Sequence, residues 1–183
     1  MHTFPFGGLR AAALVVGAAL LGASAVRCSS SEPEPERVYA VPADLCGTPV
    51  SGSALTPLLP AGEKAAQEPS EAVGVKRCRL TVDGEVALST SVEKRAADVS
   101  AQDVAQSAQG VDPTDAAADG GRYVYGKTGA VGRVECPASS SGEADRAIWV
   151  TARVAQEAGP EDLLAFVKAY AASVARTDAC AKL

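Results

Sequence analysis

Hydrophobic and polar residues alternate with a period of two in several short stretches of this chain. The most regular alternation runs through residues 78–82 and 86–92, on either side of Asp83-Gly84. Further stretches of this kind lie at residues 122–125, 131–136 and 147–154. Because successive side chains of a β-strand point to opposite faces, each stretch predicts a strand with one buried face. The Asp-Gly pair between the first two predicts a β-hairpin.

The turn of this hairpin decides which side chains share a face. A two-residue turn at Asp83-Gly84 would place the apolar residues of the two strands on opposite faces. A three-residue loop that includes Val82 pairs Leu80 with Val86 and brings both apolar sets to one face. It also points Cys78 into the core. We therefore expect the three-residue loop, with its glycine in the left-handed conformation of a bulged turn.

A helical pattern is clearest near the carboxyl end of the chain. Pro160 suits the first helical position, and Glu161 and Asp162 interact favourably with the positive end of the helix dipole. An apolar stripe at helical spacing follows, formed by Leu163, Phe166, Val167, Tyr170 and Val174. This pattern predicts an amphipathic helix that packs on a sheet.

The remaining segments complete the expected fold. We expect a short helix capped by Ser100 within residues 97–111, a broken helix over 49–59, a helical turn over 42–46, and loops over 61–75 and 112–121. These elements predict an α+β domain, with an antiparallel sheet of four or five strands and helices packed on one face. The C-terminal stripe is expected to cover the sheet face that carries Ile148, Val150 and Val154.

The first 27 residues have the character of an export signal. Arg10 precedes an uncharged apolar run from Ala11 to Val26. A helix of this length rises about 24 Å, which is short of the ~30 Å hydrocarbon core of a bilayer. Three outcomes stay open: cleavage after Ala23-Ser24-Ala25, lipidation of Cys28, or retention of the segment as a membrane anchor. All three place the rest of the chain outside the cytoplasm.

The cysteines divide the chain in the same way. Cys28 begins a tether rich in Ser, Pro and Glu over residues 28–41, and a single domain is expected over 42–183. The other four cysteines, Cys46, Cys78, Cys136 and Cys180, are spread over that domain. Their wide spacing predicts two disulfides rather than a zinc site, which would need clustered pairs. Of the three possible pairings we expect Cys46–Cys78 and Cys136–Cys180, since each joins a helix-side cysteine to a strand cysteine.

Charge and composition exclude several classes of function. The formal net charge is −5, so no nucleic-acid partner is expected. The one histidine is His2, inside the signal segment, which leaves the domain without an imidazole for catalysis or zinc binding. Asp112, Asp115 and Asp119 are spaced by three and four residues, which favours a solvated loop over calcium binding. We expect no catalytic residues, no cofactor and no metal.

Residues 121–128 match the phosphate-loop pattern G-x-x-x-x-G-K-T, which ends at Lys127-Thr128. Phosphate binding by such a loop needs a buried strand before it and a helix after it, so that backbone N–H groups and the helix dipole converge on the phosphates. Here an acidic loop precedes the pattern and Gly129-Ala130-Val131-Gly132 follows it. We therefore expect a strand and a turn, and no nucleotide binding.

Two sets of side chains are candidates for the surface. Trp149 falls on the polar side of its strand. It either packs beneath a loop or helix, or joins Tyr123 and Tyr125 in an exposed contact surface. Three basic residues open the hairpin: Lys76, Arg77 and Arg79. We interpret them as a solvated strand edge that discourages aggregation.

Several of these features together resemble actinobacterial secreted or lipoprotein-type proteins of unknown function. They are the signal ending near a cysteine, the tether, Asp44-Leu45-Cys46 before a short Leu-rich helix, Cys78-Arg79-Leu80 at the start of a hairpin, and a final helix ending at Cys180. The resemblance supplies no catalytic residues. We expect a cell-envelope domain, membrane-anchored or secreted, that binds an envelope protein or small ligand without catalysis. A purely structural role and an accessory role in carboxylate-dependent hydrolysis are the alternatives.

Overall fold

Seven antiparallel strands form the main sheet of this protein, as seen in a computed structural model that describes residues 36–137 and 146–181. The strands of this main sheet are β3 (Ala65–Ala72), β4 (Val75–Val82), β5 (Glu85–Ala96), β6 (Ala116–Ala118), β7 (Tyr123–Tyr125), β8 (Gly129–Arg133) and β9 (Arg146–Val154). Two further strands, β1 (Asp44–Leu45) and β2 (Thr48–Pro49), form a separate small sheet. The helices are α1 (Gly52–Leu55), α2 (Ala101–Ser107), α3 (Pro160–Val174) and α4 (Asp178–Ala181), with 3₁₀ turns at Thr56–Leu58 and Asp119–Gly121. The expected signal, Cys28 and most of the expected tether lie outside the described residues.

The main sheet has the strand order β3-β4-β5-β9-β8-β7-β6, and β1 pairs only with β2. The protein is therefore α+β with an antiparallel sheet, but the sheet has seven strands where four or five were expected. The two extra strands are β3 and β6, in the segments expected to be loops. Both are edge strands that are mostly exposed. A strand that buries neither face has no alternating apolar pattern, and the sequence therefore gave no sign of it.

The hairpin of β4 and β5 reaches the expected facing by a different turn. Asp83 and Gly84 form a two-residue turn with φ values of 52° and 87°, and not the expected three-residue loop. The register then shifts, so that Leu80 pairs with Leu88 and Ala87 becomes the extra residue of a β-bulge. The bulge restores the parity that the short turn reverses. Leu88, Thr90 and Val92 therefore share the face of Cys78 and Leu80 as expected, whereas Val86 pairs with Thr81 and lies on the other face.

Helices cover both faces of the main sheet, whereas one covered face was expected. α3 packs on the face that carries Ile148, Val150 and Val154, and its apolar stripe joins the larger core cluster there, as predicted. α2 packs on the opposite face over a smaller buried cluster of Ala101, Val104, Ala105, Val111, Val124, Val131, Ala147 and Trp149. The expected cap at Ser100 is present as a capping box with Asp103.

Two disulfides join the elements in the pairing expected from the sequence. Cys46 is bonded to Cys78 with a Cα–Cα distance of 5.7 Å, and Cys136 to Cys180 with 5.5 Å. Cys46 lies in the tight turn between β1 and β2, so residues 42–46 are not the expected helical turn. Disulfides are typical of oxidising compartments and indicate an extracytoplasmic setting. In the described part of the chain, no helix combines the length and apolar character needed to cross a membrane.

The last residues of the expected tether are tied to the domain. The backbone of Val38 donates to the carbonyl of Gly62 at 2.9 Å, and Arg37 and Gly62 form an isolated parallel bridge. The Arg37 guanidinium donates to the carbonyls of Thr56 at 3.0 Å and Leu59 at 2.5 Å. The Thr56 carbonyl also accepts from the backbone N–H of Leu59 at 3.3 Å, the bond that closes the 3₁₀ turn, so Arg37 binds at both ends of this turn. Residues 37 and 38 are therefore part of the folded unit.

Candidate functional site

α2 covers only part of its sheet face and leaves the polar side chains over β4, β5 and the end of β9 uncovered. We call this uncovered surface the open face; it consists of Arg77, Arg79, Ser89, Ser91, Glu93, Arg95, Thr151 and Arg153. Directly paired residues of antiparallel strands share a face, and the register sets them in two neighbouring rows. These rows are Arg79–Ser89–Arg153 and Arg77–Ser91–Thr151.

The open face forms the floor of a groove of about 710 Å³. The end of α2 and the residues that follow it line one side of this groove, with Ser107, Ala108 and Gln109 among the lining residues. The hydroxyls of Ser91 and Thr151 lie 2.6 Å apart near the centre of the floor. One hydroxyl donates to the other, so the pair keeps one further proton for a ligand.

Four guanidinium groups and the carboxylate of Glu93 lie on this face. Arg95 is neutralised within the protein: its Nη2 lies 3.1 and 3.2 Å from the two carboxylate oxygens of Glu93 and 3.1 Å from Ser107 Oγ. Arg79 Nη1 lies 3.4 Å from Glu68 Oε2 on the edge strand β3. Both side chains of that pair are more than half exposed, so the pairing is weak.

Two of the four guanidinium groups have no anionic partner in residues 36–137 and 146–181. Arg153 Nη1 donates to the neutral amide oxygen of Gln109 at 3.2 Å. The Arg77 guanidinium makes no hydrogen bond or ion pair with any residue in those ranges. The open face therefore carries excess positive charge on a chain whose net charge is −5.

The sequence shows which residues of each strand face away from the core, but not which strands lie side by side to form the open face. Arg77 and Arg79 alternate with buried residues of β4, as strand residues on an uncovered face do. The interpretation of Lys76, Arg77 and Arg79 as a sheet edge is wrong, because β3 pairs along the outer side of β4. Lys76 points to the other face, where its Nζ lies 3.8 Å from Asp178 Oδ1. The order β4-β5-β9, which brings Arg153 beside Ser89, depends on long-range pairing.

The three aromatic candidates do not form a contact surface. Trp149 is 1% exposed beneath α2, and its indole Nε1–H has no partner among the described residues. Tyr123 is 7% exposed on the opposite face of the sheet, with Lys168 Nζ 5.5 Å from its ring centroid. Tyr125 is half-buried and its hydroxyl donates to Glu161 at 3.2 Å. Of the two alternatives for Trp149, packing beneath a helix is correct.

The phosphate-loop pattern lies on a β-hairpin. Residues 123–125 form β7, Gly126–Thr128 form the turn, and β8 follows in the place of a helix. The ammonium of Lys127 lies 3.6 Å from Glu157 Oε2, and the Thr128 hydroxyl donates to the carbonyl of Gly110 at 2.6 Å. With no helix after the turn, no helix dipole points at a bound phosphate.

Two acidic side chains on the described surface, Asp103 and Asp112, accept hydrogen bonds from neighbouring Ser100 and Thr114. The Ser100 side chain and backbone hydrogen-bond the Asp103 carboxylate and lower its pKa. Thr114 lowers the pKa of Asp112 in the same way. Both shifts favour the charged carboxylate, whereas a general acid at neutral pH needs a raised pKa. Within residues 36–137 and 146–181, no group of three or more His, Cys, Asp or Glu side chains is placed to hold a metal ion.

A second groove, of about 520 Å³, lies beside the Cys46–Cys78 disulfide. Its lining includes Tyr170 and Val174 together with charges of both signs, such as the pair Lys76 and Asp178. Because these charges balance locally, the groove does not favour an anion or a cation. The open face is therefore the stronger candidate site.

Comparisons with known proteins gave no relative from which a function could be transferred. No family model, no curated protein and no solved structure matched this chain.

Proposed function

We propose that this protein is a non-enzymatic binding domain of the cell envelope, and that it binds an anionic partner on the open face. The two disulfides and the signal-like N-terminal segment support a position outside the cytoplasm, in keeping with the resemblance to actinobacterial secreted or lipoprotein-type proteins. The N-terminal segment holds the chain at the membrane or is removed on secretion.

The observation that carries this proposal is the excess of guanidinium groups on the open face. Arg77 has no partner in the described ranges, and Arg153 has only a neutral one. Guanidinium groups bind carboxylates and phosphates through paired, charge-assisted hydrogen bonds. Because the rest of the protein is acidic, an anion would be attracted to this face and repelled elsewhere.

The test measures binding of two fluorescent oligomers, hexaglutamate and a glycerol-phosphate hexamer, to the purified full-length protein in neutral detergent. We expect binding of at least one oligomer, and weaker binding as salt rises. The double variant Arg77→Gln/Arg153→Gln should bind about tenfold more weakly, since exposed ion pairs contribute roughly 0.5–1 kcal/mol each.

The matched control is Arg146→Gln/Arg176→Gln, which removes the same charge from exposed positions outside the open face. Arg146 lies at the other end of β9 and on the other face from Arg153. We expect the control to bind within about twofold of the wild type, as screened distant charges contribute little. Equal losses in both variants, or no binding of either oligomer and none of anionic lipid vesicles, would overturn the proposal. A purely structural role would then be favoured.

A further inference from the structure

The two rows of the open face repeat the same kind of donors at a regular interval. Ser89 lies between Arg79 and Arg153, and Ser91 lies between Arg77 and Thr151. Residues two apart along a strand are separated by about 6.7 Å, and neighbouring strands by about 4.8 Å. Each row therefore offers at least one guanidinium and one hydroxyl. The second row begins about 6.7 Å farther along the strands.

Within the first row, two arginines flank a hydroxyl. Arg79 and Arg153 each pair with Ser89 from opposite sides, so their Cα atoms lie about 10 Å apart on one face. Both guanidinium groups keep donors free, because Arg79 meets Glu68 through one nitrogen and Arg153 meets Gln109 through one nitrogen. An anion above Ser89 would receive a hydrogen bond from the floor and, once the two guanidinium groups turn inward from Glu68 and Gln109, hydrogen bonds from both flanks.

This arrangement favours a tetrahedral anion over a planar one. A carboxylate has two coplanar oxygens and is satisfied by a single guanidinium fork. A phosphodiester shares one negative charge between two non-bridging oxygens, and its two ester oxygens complete a tetrahedron, which suits donors that approach from three directions. The hydroxyl groups on the groove floor can donate further hydrogen bonds to a phosphodiester. A carboxylate whose two oxygens are already bound by one arginine would not need them.

We propose, resting on the proposed function, that the ligand is an extended phosphodiester polymer without nucleobases. Successive phosphates contact the rows Arg79–Ser89–Arg153 and Arg77–Ser91–Thr151, and the polymer runs along the direction of β5. The groove floor carries no exposed aromatic ring for base stacking, because Trp149 lies buried beneath α2.

A membrane surface fits this face less well than a polymer does. The end of α2, at Ser107 to Gln109, lines one side of the groove and would hold a flat bilayer away from the floor. Val86 is the one large apolar residue with marked exposure among the lining residues, at 38%. Surfaces that rest on lipid bury a broad apolar face as well as basic side chains.

The experiment compares three probes on the full-length protein in matched buffers: the glycerol-phosphate hexamer, hexaglutamate, and phosphatidylglycerol vesicles. For the vesicle probe, the protein is first bound through its N-terminal segment to neutral vesicles, and its transfer from these to phosphatidylglycerol vesicles is measured. We expect the glycerol-phosphate hexamer to bind at least about tenfold more tightly than hexaglutamate, which corresponds to one additional hydrogen bond to a charged group.

Variants of Ser89 separate hydroxyl recognition from charge. Ser89→Ala should reduce the preference for phosphate over carboxylate about threefold or more, while Ser89→Thr retains the hydroxyl and should restore it. The Arg79→Gln/Arg153→Gln variant should bind both oligomers more weakly. Circular dichroism and thermal unfolding check that each variant is folded.

Each outcome decides between the two proposals. Equal binding of the two oligomers, lost in the arginine variant, would overturn the phosphodiester inference and leave the proposed function intact. Transfer to phosphatidylglycerol vesicles without binding of the free hexamer would overturn the polymer in favour of a membrane surface. Binding of neither oligomer and no transfer would overturn both proposals.

Discussion

Tyr170 carries a polar group into the core of the α3 face. Its ring is 3% exposed and stacks on Phe166 with a centroid distance of 5.7 Å. The Thr90 hydroxyl donates to the Tyr170 oxygen at 3.3 Å, so the buried phenol has a partner. Burial raises the pKa of Tyr170, while the hydrogen bonds from Thr90 and Thr48 act in the opposite direction.

This pKa shift makes stability depend on pH in the alkaline range. The unfolded chain releases the phenol proton near its ordinary pKa of about 10, whereas the folded protein holds the proton to higher pH. The contribution of Tyr170 to stability is therefore complete below about pH 10 and is lost as pH rises from there towards the folded pKa.

Tyr170→Phe tests this coupling. At pH 7 the variant should lose about 1 kcal/mol of unfolding free energy, because Thr90 loses its partner. Between about pH 9 and 11 its stability should fall less steeply than that of the wild type, since one raised pKa is absent. Urea unfolding at several pH values measures both effects. Parallel pH curves for the two proteins would contradict the expectation.

At the scale of elements, α3 stabilises the sheet through close packing on β7 and β8. Gly132 of β8 pairs directly with Tyr123 of β7, and a Cβ on this glycine would lie 2.6 Å from the Tyr123 ring. The missing side chain makes room for the ring, which covers the strand in its place. Val167 of α3 lies 3.4 Å from the same point, so the helix, the ring and the strand are in mutual contact.

Phe166→Ala should show how much α3 contributes to stability. The ring is 1% exposed, and removing a buried aromatic ring typically costs ~3–5 kcal/mol. We expect the unfolding temperature to fall by about 10 °C or more, because a loss of about 1 kcal/mol of unfolding free energy lowers it by roughly 2–4 °C in a domain of this size. A fall of only one or two degrees would mean that α3 is not packed as described.

The control for this variant is Ala165→Ser, at the neighbouring exposed position of α3. It should cost about 0.5 kcal/mol, from helix propensity alone. Lys168→Ala is less suitable as a control, because the ammonium of Lys168 lies 3.0 Å from Asp119 Oδ2 and also contacts the Tyr123 ring.

At the scale of the whole molecule, the disulfides attach short elements to the rest of the fold. Cys46–Cys78 attaches the β1–β2 hairpin to β4, and Cys136–Cys180 attaches the segment after β8 to α4. β1 and β2 form only two-residue strands, and α4 has four residues. Elements this short are not stable by themselves.

Removing either disulfide should therefore be costly. The bonded cysteines are 32 and 44 residues apart, and loops of that size correspond to about 3.5–4 kcal/mol in the chain-entropy model. We expect Cys46→Ala/Cys78→Ala and Cys136→Ala/Cys180→Ala to lower the urea midpoint by similar amounts. Because total stability is about 5–15 kcal/mol, removal of both should leave little folded protein. An unchanged midpoint in both double variants would refute this.

The sequence by itself determined the elements whose signals are local. The start of α3 at Pro160, the capping box at Ser100 and the turn glycine at Gly84 each depend on residues within one or two turns of chain. These three features act over short distances, so their residue patterns persist whatever the rest of the chain does. The cysteine pairing was also predicted correctly, but the argument for it was wrong: Cys46 lies in a turn and Cys136 follows β8, so neither disulfide joins a helix-side cysteine to a strand cysteine.

Tertiary structure decided what depends on long-range pairing. Edge strand β3 has no alternating pattern of apolar residues. Because it pairs with β4, β4 is an interior strand of the sheet and not the edge that was expected. The second covered face arose because α2 packs on Trp149, whose strand carries apolar side chains on both sides. The open face needed all of this: Arg79 and Arg153 lie 74 positions apart in sequence, and only the strand order β4-β5-β9 places Ser89 between them. Side-chain periodicity shows which residues share a face of one strand, but contacts between distant segments decide which strands are neighbours.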